Sequence, residues 1–148
     1  MRTVIQRVNR AELRVGGQVR AEIKAGLVAL VGIERSDTDA DRSWTAAKIA
    51  NIRVFEDGDG KMNRSVLESD GAVLLVPNFT VAGDCRKGRR PSFDKAMAPE
   101  QASAVFDALV DELRSLGAQV QTGVFRAHMH VDLENDGPIT LVIESPRS

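Results

Sequence analysis

His128, His130 and Asp132 occupy alternate positions, so on a strand the three side chains share one face, a spacing that could hold a metal ion. The intervening Ala127, Met129, Val131 and Leu133 form an unbroken apolar face, which fits a half-buried strand with its histidines in water. The second reading is preferred, and no metal centre or other cofactor is expected. Cys85 lies in the run "GDCRKGRR", where neighbouring cations could lower a thiol pKa and make a nucleophile. No base partner lies near it in sequence, and an incidental loop cysteine is the simpler reading. The four cations Arg86, Lys87, Arg89 and Arg90 around Gly88 suit contact with phosphate, with a solvated loop as the alternative. Phe79, Phe93 and Phe125 are the nearest rings that could stack on a base, although phenylalanine is more often core than platform.

Two stretches break strand rules. Pro77 interrupts the apolar run "AVLLVPNFTV", and proline has no N–H to give a sheet ladder. A kinked strand end there could leave backbone N–H groups free for an oxyanion, beside the amide of Asn78 and the hydroxyl of Thr80. An edge strand that ends in a turn is the alternative. The second stretch, "DLENDGPITLVIES", alternates like a strand but carries Gly137-Pro138 in its middle, which marks a bulge, a turn or a special backbone.

The elements that must position these residues are legible from end to end. With 148 residues the chain is long enough for one domain with a real core, and no repeat or linker divides it, so residues 1–148 are read as a single domain. Its 20 basic and 21 acidic residues nearly cancel, which excludes a global basic field; any nucleic-acid contact must be a local patch. One cysteine excludes an intramolecular disulfide and a thiolate zinc cage. The start "MRTVIQRVNR" has no signal-peptide core, and no apolar run approaches the roughly 20 residues of a membrane helix, so a cytoplasmic protein is expected. "TVIQRVNRAELRV", a turn at Gly16-Gly17 and "QVRAEI" predict a hairpin, followed by a buried strand in "GLVALVGI". Asp37 or Thr38 can cap a helix through "DADRSWTAAKIANI", with Trp44, Ala47 and Ile52 near helical spacing; "EDGDGKMN" reads as a turn. "AVLLVPNFTV" predicts a central strand. Pro99 opens and Gly117 closes a helix whose apolar face carries Val105, Leu109, Leu113 and Leu116, and the tail returns to sheet. The predicted fold is α+β: a single compact domain with a barrel-like antiparallel or mixed sheet and helices packed outside.

In that order along the chain, "RVFEDGDGKMNRSV", "VPNFTV", "KGRRPSF", "QTGVF" and "NDGPIT" resemble the D-aminoacyl-tRNA deacylase family over nearly the whole length. The resemblance implies hydrolysis of the ester that joins a D-amino acid, or glycine, to the terminal ribose of tRNA. It implies that the Gly137-Pro138 peptide is cis and forms a backbone wall that rejects L side chains; achiral glycine then passes. It further implies a homodimer in which this motif reaches the partner's pocket, with Phe125 and Met129 near the pocket. Where the family has Ser-Gln-x-Thr, this chain has Pro77-Asn78-Phe79-Thr80. A related animal tRNA deacylase carries proline at that first position and admits small L residues, so relaxed chirality is an alternative.

The mechanism expected from the resemblance is water attack on the ester carbonyl. Backbone N–H groups around Phe79 and Thr80 stabilise the oxyanion, Thr80 orients the substrate, and the tRNA's own 2′-hydroxyl helps activate the water. No His or Lys base stands beside Thr80 in sequence, which disfavours an acyl-enzyme. Two rivals from other classes remain: a catalytically silent tRNA-binding module using Arg86, Lys87, Arg89 and Arg90, and a metal-dependent hydrolase built on His128, His130 and Asp132.

Overall fold

Strand β1 (Arg2–Val15) organises the molecule because it is paired along most of its length on both edges. One edge takes β8 (Met129–Glu144); the other takes β3 (Gly26–Gly32) over its first half and β2 (Gln18–Ile23) over its second. In this computed structural model, which describes residues 1–147, Val15 pairs with Gln18 across Gly16-Gly17. Both glycines have positive φ (57° and 78°), as the two-residue hairpin turn that matches strand twist requires. The sheet continues in parallel from β3 to β6 (Ala72–Pro77) and β7 (Gln119–Thr122), giving the order β2-β1-β3-β6-β7 with β8 also on β1. The ends approach one another, since the Glu22 N–H on β2 donates to the Gln121 side chain of β7 at 2.8 Å. The result is the expected α+β fold with a nearly closed, mixed barrel-like sheet.

Parallel neighbours need long crossovers, and the two helices supply them on the outside of the sheet. That covering explains why β3 and β6 are apolar at every position. Leu27, Ala29, Val31, Val73 and Leu75 meet the helices, while Val28, Leu74 and Val76 meet Leu13, Ala21 and Ile23 inside the barrel. Leu13, Leu27, Leu74 and Leu75 are fully buried, each contributing about 1.5–3 kcal/mol of transfer free energy.

Helix α1 (Asp39–Asn51) starts at Thr38, whose N–H and hydroxyl both donate to Asp41, each at 2.8 Å. These hydrogen bonds, led by the Thr38 N–H, lower the Asp41 pKa to about 2. Of the two expected caps, Asp37 instead accepts the Glu34 N–H at 2.7 Å. The buried face of α1 is Thr45, Ala46, Ile49 and Ala50, not the stripe through Trp44, Ala47 and Ile52. Small residues bring the helix axis close, while Trp44 lies at the rim under Lys48, and Ile52 is already extended past the helix end. The turn expected in "EDGDGKMN" is present, and it joins a short hairpin of β4 (Phe55–Glu56) and β5 (Met62–Arg64).

Helix α2 (Pro99–Ser115) begins and ends where the proline and glycine predict. The Ala118 N–H reaches the Leu113 carbonyl and the Gly117 N–H that of Arg114, with Gly117 at φ 102°, the six-residue closure typical of a glycine-ended helix. Its buried face is Ala102, Phe106, Leu109, Val110 and Leu113; Leu116, placed on that face from sequence, is 43% exposed because it caps the helix.

The run "AVLLVPNFTV" does not remain a strand. β6 ends at Pro77, and Phe79–Ala82 form a single 3-10 turn that folds back over the end of β3. A Cβ on Gly32 would stand 2.8 Å from the Ala82 nitrogen, so the turn packs there because β3 has no side chain at that point.

Candidate active site

A groove of about 940 Å³ opens between the end of β6, the 3-10 turn, the segment leading into α2 and the start of β8. Its walls are mostly apolar: Pro77 and Phe79 on one side, Phe93 and Met97 on another, and Phe125, Met129, Val131 and Leu133 along β8. Asn78, Arg126 and His128 supply the polar part of the lining. The alternation of β8 turns Met129, Val131 and Leu133 to this half-buried face, as the sequence pattern predicts. Gly123 lets the "QTGVF" segment pass close to β6, because a Cβ there would lie 2.8 Å from the Met129 sulfur and 3.3 Å from Pro77.

At the groove wall the 3-10 turn leaves two donors open. The Asn78 N–H donates to the Val31 carbonyl at 2.9 Å, Val81 to Asn78 at 3.2 Å and Gly83 to Thr80 at 2.9 Å. The N–H groups of Phe79 and Thr80, the first of the turn, find no partner among the described residues. The Phe79 ring is 60% exposed and meets Phe93 edge to face, with centroids 5.3 Å apart. The Thr80 hydroxyl donates to the Asn78 side-chain oxygen. Thr80 is exposed and lies just beyond the groove lining that contains Pro77, Asn78 and Phe79. No ionisable side chain occurs between Pro77 and Thr80, so the turn offers hydrogen bonds and no nucleophile–base pair.

Gly137-Pro138 is a bulge with a cis peptide in the middle of β8. Asn135 pairs with Val8 and Thr140 with Gln6, so Asp136, Gly137, Pro138 and Ile139 all face the single residue Arg7. Arg7, 7% exposed, donates to the Val54 carbonyl at 2.6 Å and sits 3.1 Å from the Asp136 carboxylate. The Asn135 amide donates to the carbonyls of Arg7 and Ile139, both at 2.9 Å, and closes the bulge at its base. Gly137 has φ 122°, and a Cβ on it would lie 2.8 Å from Ile139 and 3.0 Å from the Arg7 guanidinium. The bulge tip is exposed, and neither Gly137 nor Pro138 lines the groove of its own chain. Sequence reading missed Arg7 and Asn135. One signal was present: Arg7 continues the inward series of Thr3 and Ile5 on β1, where a charge requires a partner.

The basic cluster projects on a loop whose neck is closed by two backbone hydrogen bonds between Asp84 and Ser92, at 2.7 and 2.8 Å. Arg86 is engaged by the Asp84 carboxylate, its Nε 2.9 Å away, and this hydrogen bond holds the Asp84 carboxyl well below the usual range. Lys87, Arg89 and Arg90 are exposed, and none of the four cations lines the groove. Cys85 is exposed on the same loop. His128 and His130 are exposed and stacked at 5.0 Å, but Asp132 turns to Arg10 at 3.3 Å. Among the described residues no three His, Cys, Asp or Glu side chains converge as a metal site would need. Among the described residues no helix is long and apolar enough to cross a membrane.

The family model described as D-Tyr-tRNA(Tyr) deacylase matches residues 4–144. A D-aminoacyl-tRNA deacylase of Thermus aquaticus is 54% identical over 145 residues, covering 98% of this chain and 95% of that protein. One of Symbiobacterium thermophilum is 51% identical over 148 residues, covering 100% and 98%. Among solved structures, a c-Myc DNA unwinding element binding protein has a TM-score of 0.95 at 38% identity, covering 99% of this chain and 100% of that one. A probable eukaryotic D-amino acid tRNA deacylase has a TM-score of 0.80 at 17% identity, covering 97% and 98%, a likeness of fold alone.

Proposed function

Because the chain belongs to the D-Tyr-tRNA(Tyr) deacylase family, we infer that it is a hydrolase that cleaves the ester of D-aminoacyl-tRNA and releases the free D-amino acid and tRNA. The observation that carries the chemistry is the pair of unpartnered N–H groups on Phe79 and Thr80 at the wall of an apolar groove. Water attacks the ester carbonyl, and these donors receive the charge that develops on its oxygen. A donor already fixed in the fold pays no reorganisation cost at that moment. The Asn78 amide and Thr80 hydroxyl, bonded to one another, orient the substrate at the turn. The substrate's own 2′-hydroxyl assists the water, a role that needs no side-chain base. Phe125, Met129 and Pro77 form the apolar wall around the aminoacyl group and the terminal nucleoside.

Gly137-Pro138 acts as the chiral filter of a partner's groove. Three features support this assignment: the bulge tip is exposed, it lies outside the groove of its own chain, and β8 has a second edge with no strand on it among the described residues. That edge strand carries exposed Leu141 and Val142. An open strand edge with exposed apolar side chains invites pairing, and a two-fold homodimer would cover it twice. Main-chain atoms set in the groove reject the L side chain sterically, accept many D side chains and cannot exclude glycine, so glycyl-tRNA on a non-cognate tRNA is also a substrate. Lys87, Arg89 and Arg90, with Arg86 on its aspartate, meet the tRNA phosphates.

Deacylation of D-tyrosyl-tRNA and L-tyrosyl-tRNA at equal enzyme concentration tests this reading. Rapid loss from the D ester alone is expected. Cleavage of both keeps the hydrolase but removes the strict filter, and points to Pro77-Asn78 as the cause of relaxed chirality. Salt-sensitive tRNA binding with no cleavage of either would replace the enzyme by a silent RNA-binding module.

A further inference from the structure

A one-turn 3-10 helix is a poor thing on which to mount catalytic donors. It closes few hydrogen bonds of its own and forms only where its surroundings hold it. The turn Phe79–Ala82 is held underneath by β3, through the Asn78–Val31 hydrogen bond and the close approach to Gly32. From the solvent side it is held by one ring. Phe93 meets Phe79 edge to face at 5.3 Å and 73°, an attractive geometry between aromatic rings. The same ring lies over Gly83 at the other end of the turn. A Cβ on Gly83 would stand 2.9 Å from Phe93 Cε1 and 2.8 Å from the Thr80 carbonyl oxygen, so the space a side chain would need is taken by the ring and by the turn itself.

Phe93 is in turn fixed from both directions along the chain. The residue before it, Ser92, makes both hydrogen bonds of the loop neck with Asp84. Its own carbonyl accepts the Ala96 N–H at 3.0 Å, and Arg35 and Met97 tie the following residues to the end of β3 through hydrogen bonds of 2.8 and 2.9 Å. The ring is therefore a rigid brace across both ends of the turn, although it is 37% exposed and serves no core.

We propose that Phe93 is a positioning residue for hydrolysis, holding the N–H groups of Phe79 and Thr80 where the developing oxyanion forms. This rests on the reading of those two groups as oxyanion donors. Displacement of about 1 Å in such a site costs on the order of 100-fold in rate, so relaxation of the turn is expected to lower kcat while tRNA binding stays as it was. Because Phe93 also faces the groove, the rival role is direct contact with the substrate, which would raise KM and leave kcat in place.

The test compares steady-state kcat and KM for D-tyrosyl-tRNA in the wild type, Phe93→Leu and Phe93→Tyr, with Gly83→Ala as an independent way to disturb the same contact. Phe93→Leu and Gly83→Ala are expected to lower kcat by about 10- to 100-fold with KM changed less than about 3-fold, and Phe93→Tyr, which keeps the ring, to restore most of the rate. Hydrogen exchange of the peptide spanning residues 79–83, measured without substrate, is expected to quicken in Phe93→Leu and Gly83→Ala only. In a Phe79→Ala background, which keeps the Phe79 N–H, the further effect of Phe93→Leu on kcat is expected to shrink, because the two rings act as one unit. An unchanged kcat, a loss confined to KM, or unchanged exchange in residues 79–83 overturns the proposal while the hydrolase reading stands. A wild type that cleaves neither ester overturns that reading and this inference with it.

Discussion

Two prolines break two strands of this barrel, and the chain deals with them in opposite ways. At Pro77 the strand stops: the neighbouring β3 ends at Gly32 and β7 at Thr122, so no ladder remains to rejoin, and the chain coils into a turn packed over Gly32 and under Phe93. At Pro138 the strand resumes: β1 offers Val8 before the break and Gln6 after it, so four residues leave the ladder and β8 returns to register. One break is a recess at the wall of the chain's own groove, with two backbone donors that find no partner among the described residues. The other is a projection, braced at its base by Arg7 and Asn135 and exposed at its tip. The difference teaches that the fate of a strand-breaking proline depends on how far its neighbours run. On the proposed function, turn-side changes should move the rate, and bulge-side changes the ratio of D to L cleavage.

The sharpest attempt to break that separation is Arg7→Ala. It leaves the Val54 carbonyl unpaired and a void beneath the bulge, for a loss on the order of 3 kcal/mol in a denaturant midpoint experiment. The D-to-L ratio should fall with it. A variant that loses stability but keeps the full ratio would show that the bulge needs no brace to discriminate. Gly137→Ala places a Cβ at φ 122° against Ile139 and Arg7, and should cost about 2 kcal/mol. In parallel assays on D-tyrosyl- and L-tyrosyl-tRNA, its selectivity should drop more than its rate on the D ester. Gly32→Ala is the turn-side counterpart: a Cβ 2.8 Å from the Ala82 nitrogen lifts the turn, costs about 1–3 kcal/mol, and should lower kcat about 10-fold with the D-to-L ratio intact. A changed ratio in Gly32→Ala would merge the two regions into one functional unit. Smallest is Asp41→Asn at the start of α1, expected to cost about 1 kcal/mol and to leave kcat and ratio untouched. The Asp41 pKa is depressed in the fold, so its contribution is complete above the ordinary value of 3.8 and is lost as pH falls towards about 2. Thermal melts from pH 5 down to pH 2 should therefore show the variant and the wild type converge.

Much of this molecule was readable before any coordinate. The hairpin at Gly16-Gly17, the helix from Pro99 to Gly117, the cap near Thr38 and the buried runs in β3 and β6 follow from rules that act over one to four residues: glycine's freedom at positive φ, proline's missing donor, a side chain capping the next turn. The motif order identifies the family for the same reason, because each motif is local. Tertiary structure decided what no local rule reaches. It shifted the buried stripe of α1 onto Ala46 and Ala50 and exposed Leu116, since which helix face is covered depends on the partner surface. It stopped β6 at Pro77, set Thr80 just beyond the groove lining, and turned Arg86 back on Asp84. It also recruited Arg7, Asn135 and Phe93 to the two breaks. Arg7 meets Val54, 47 residues away, and Asn135 meets Arg7 across 128. A hydrogen bond or ring contact is specified by angstroms of separation in space, and sequence distance carries that information only when the chain between two residues is a single turn or strand.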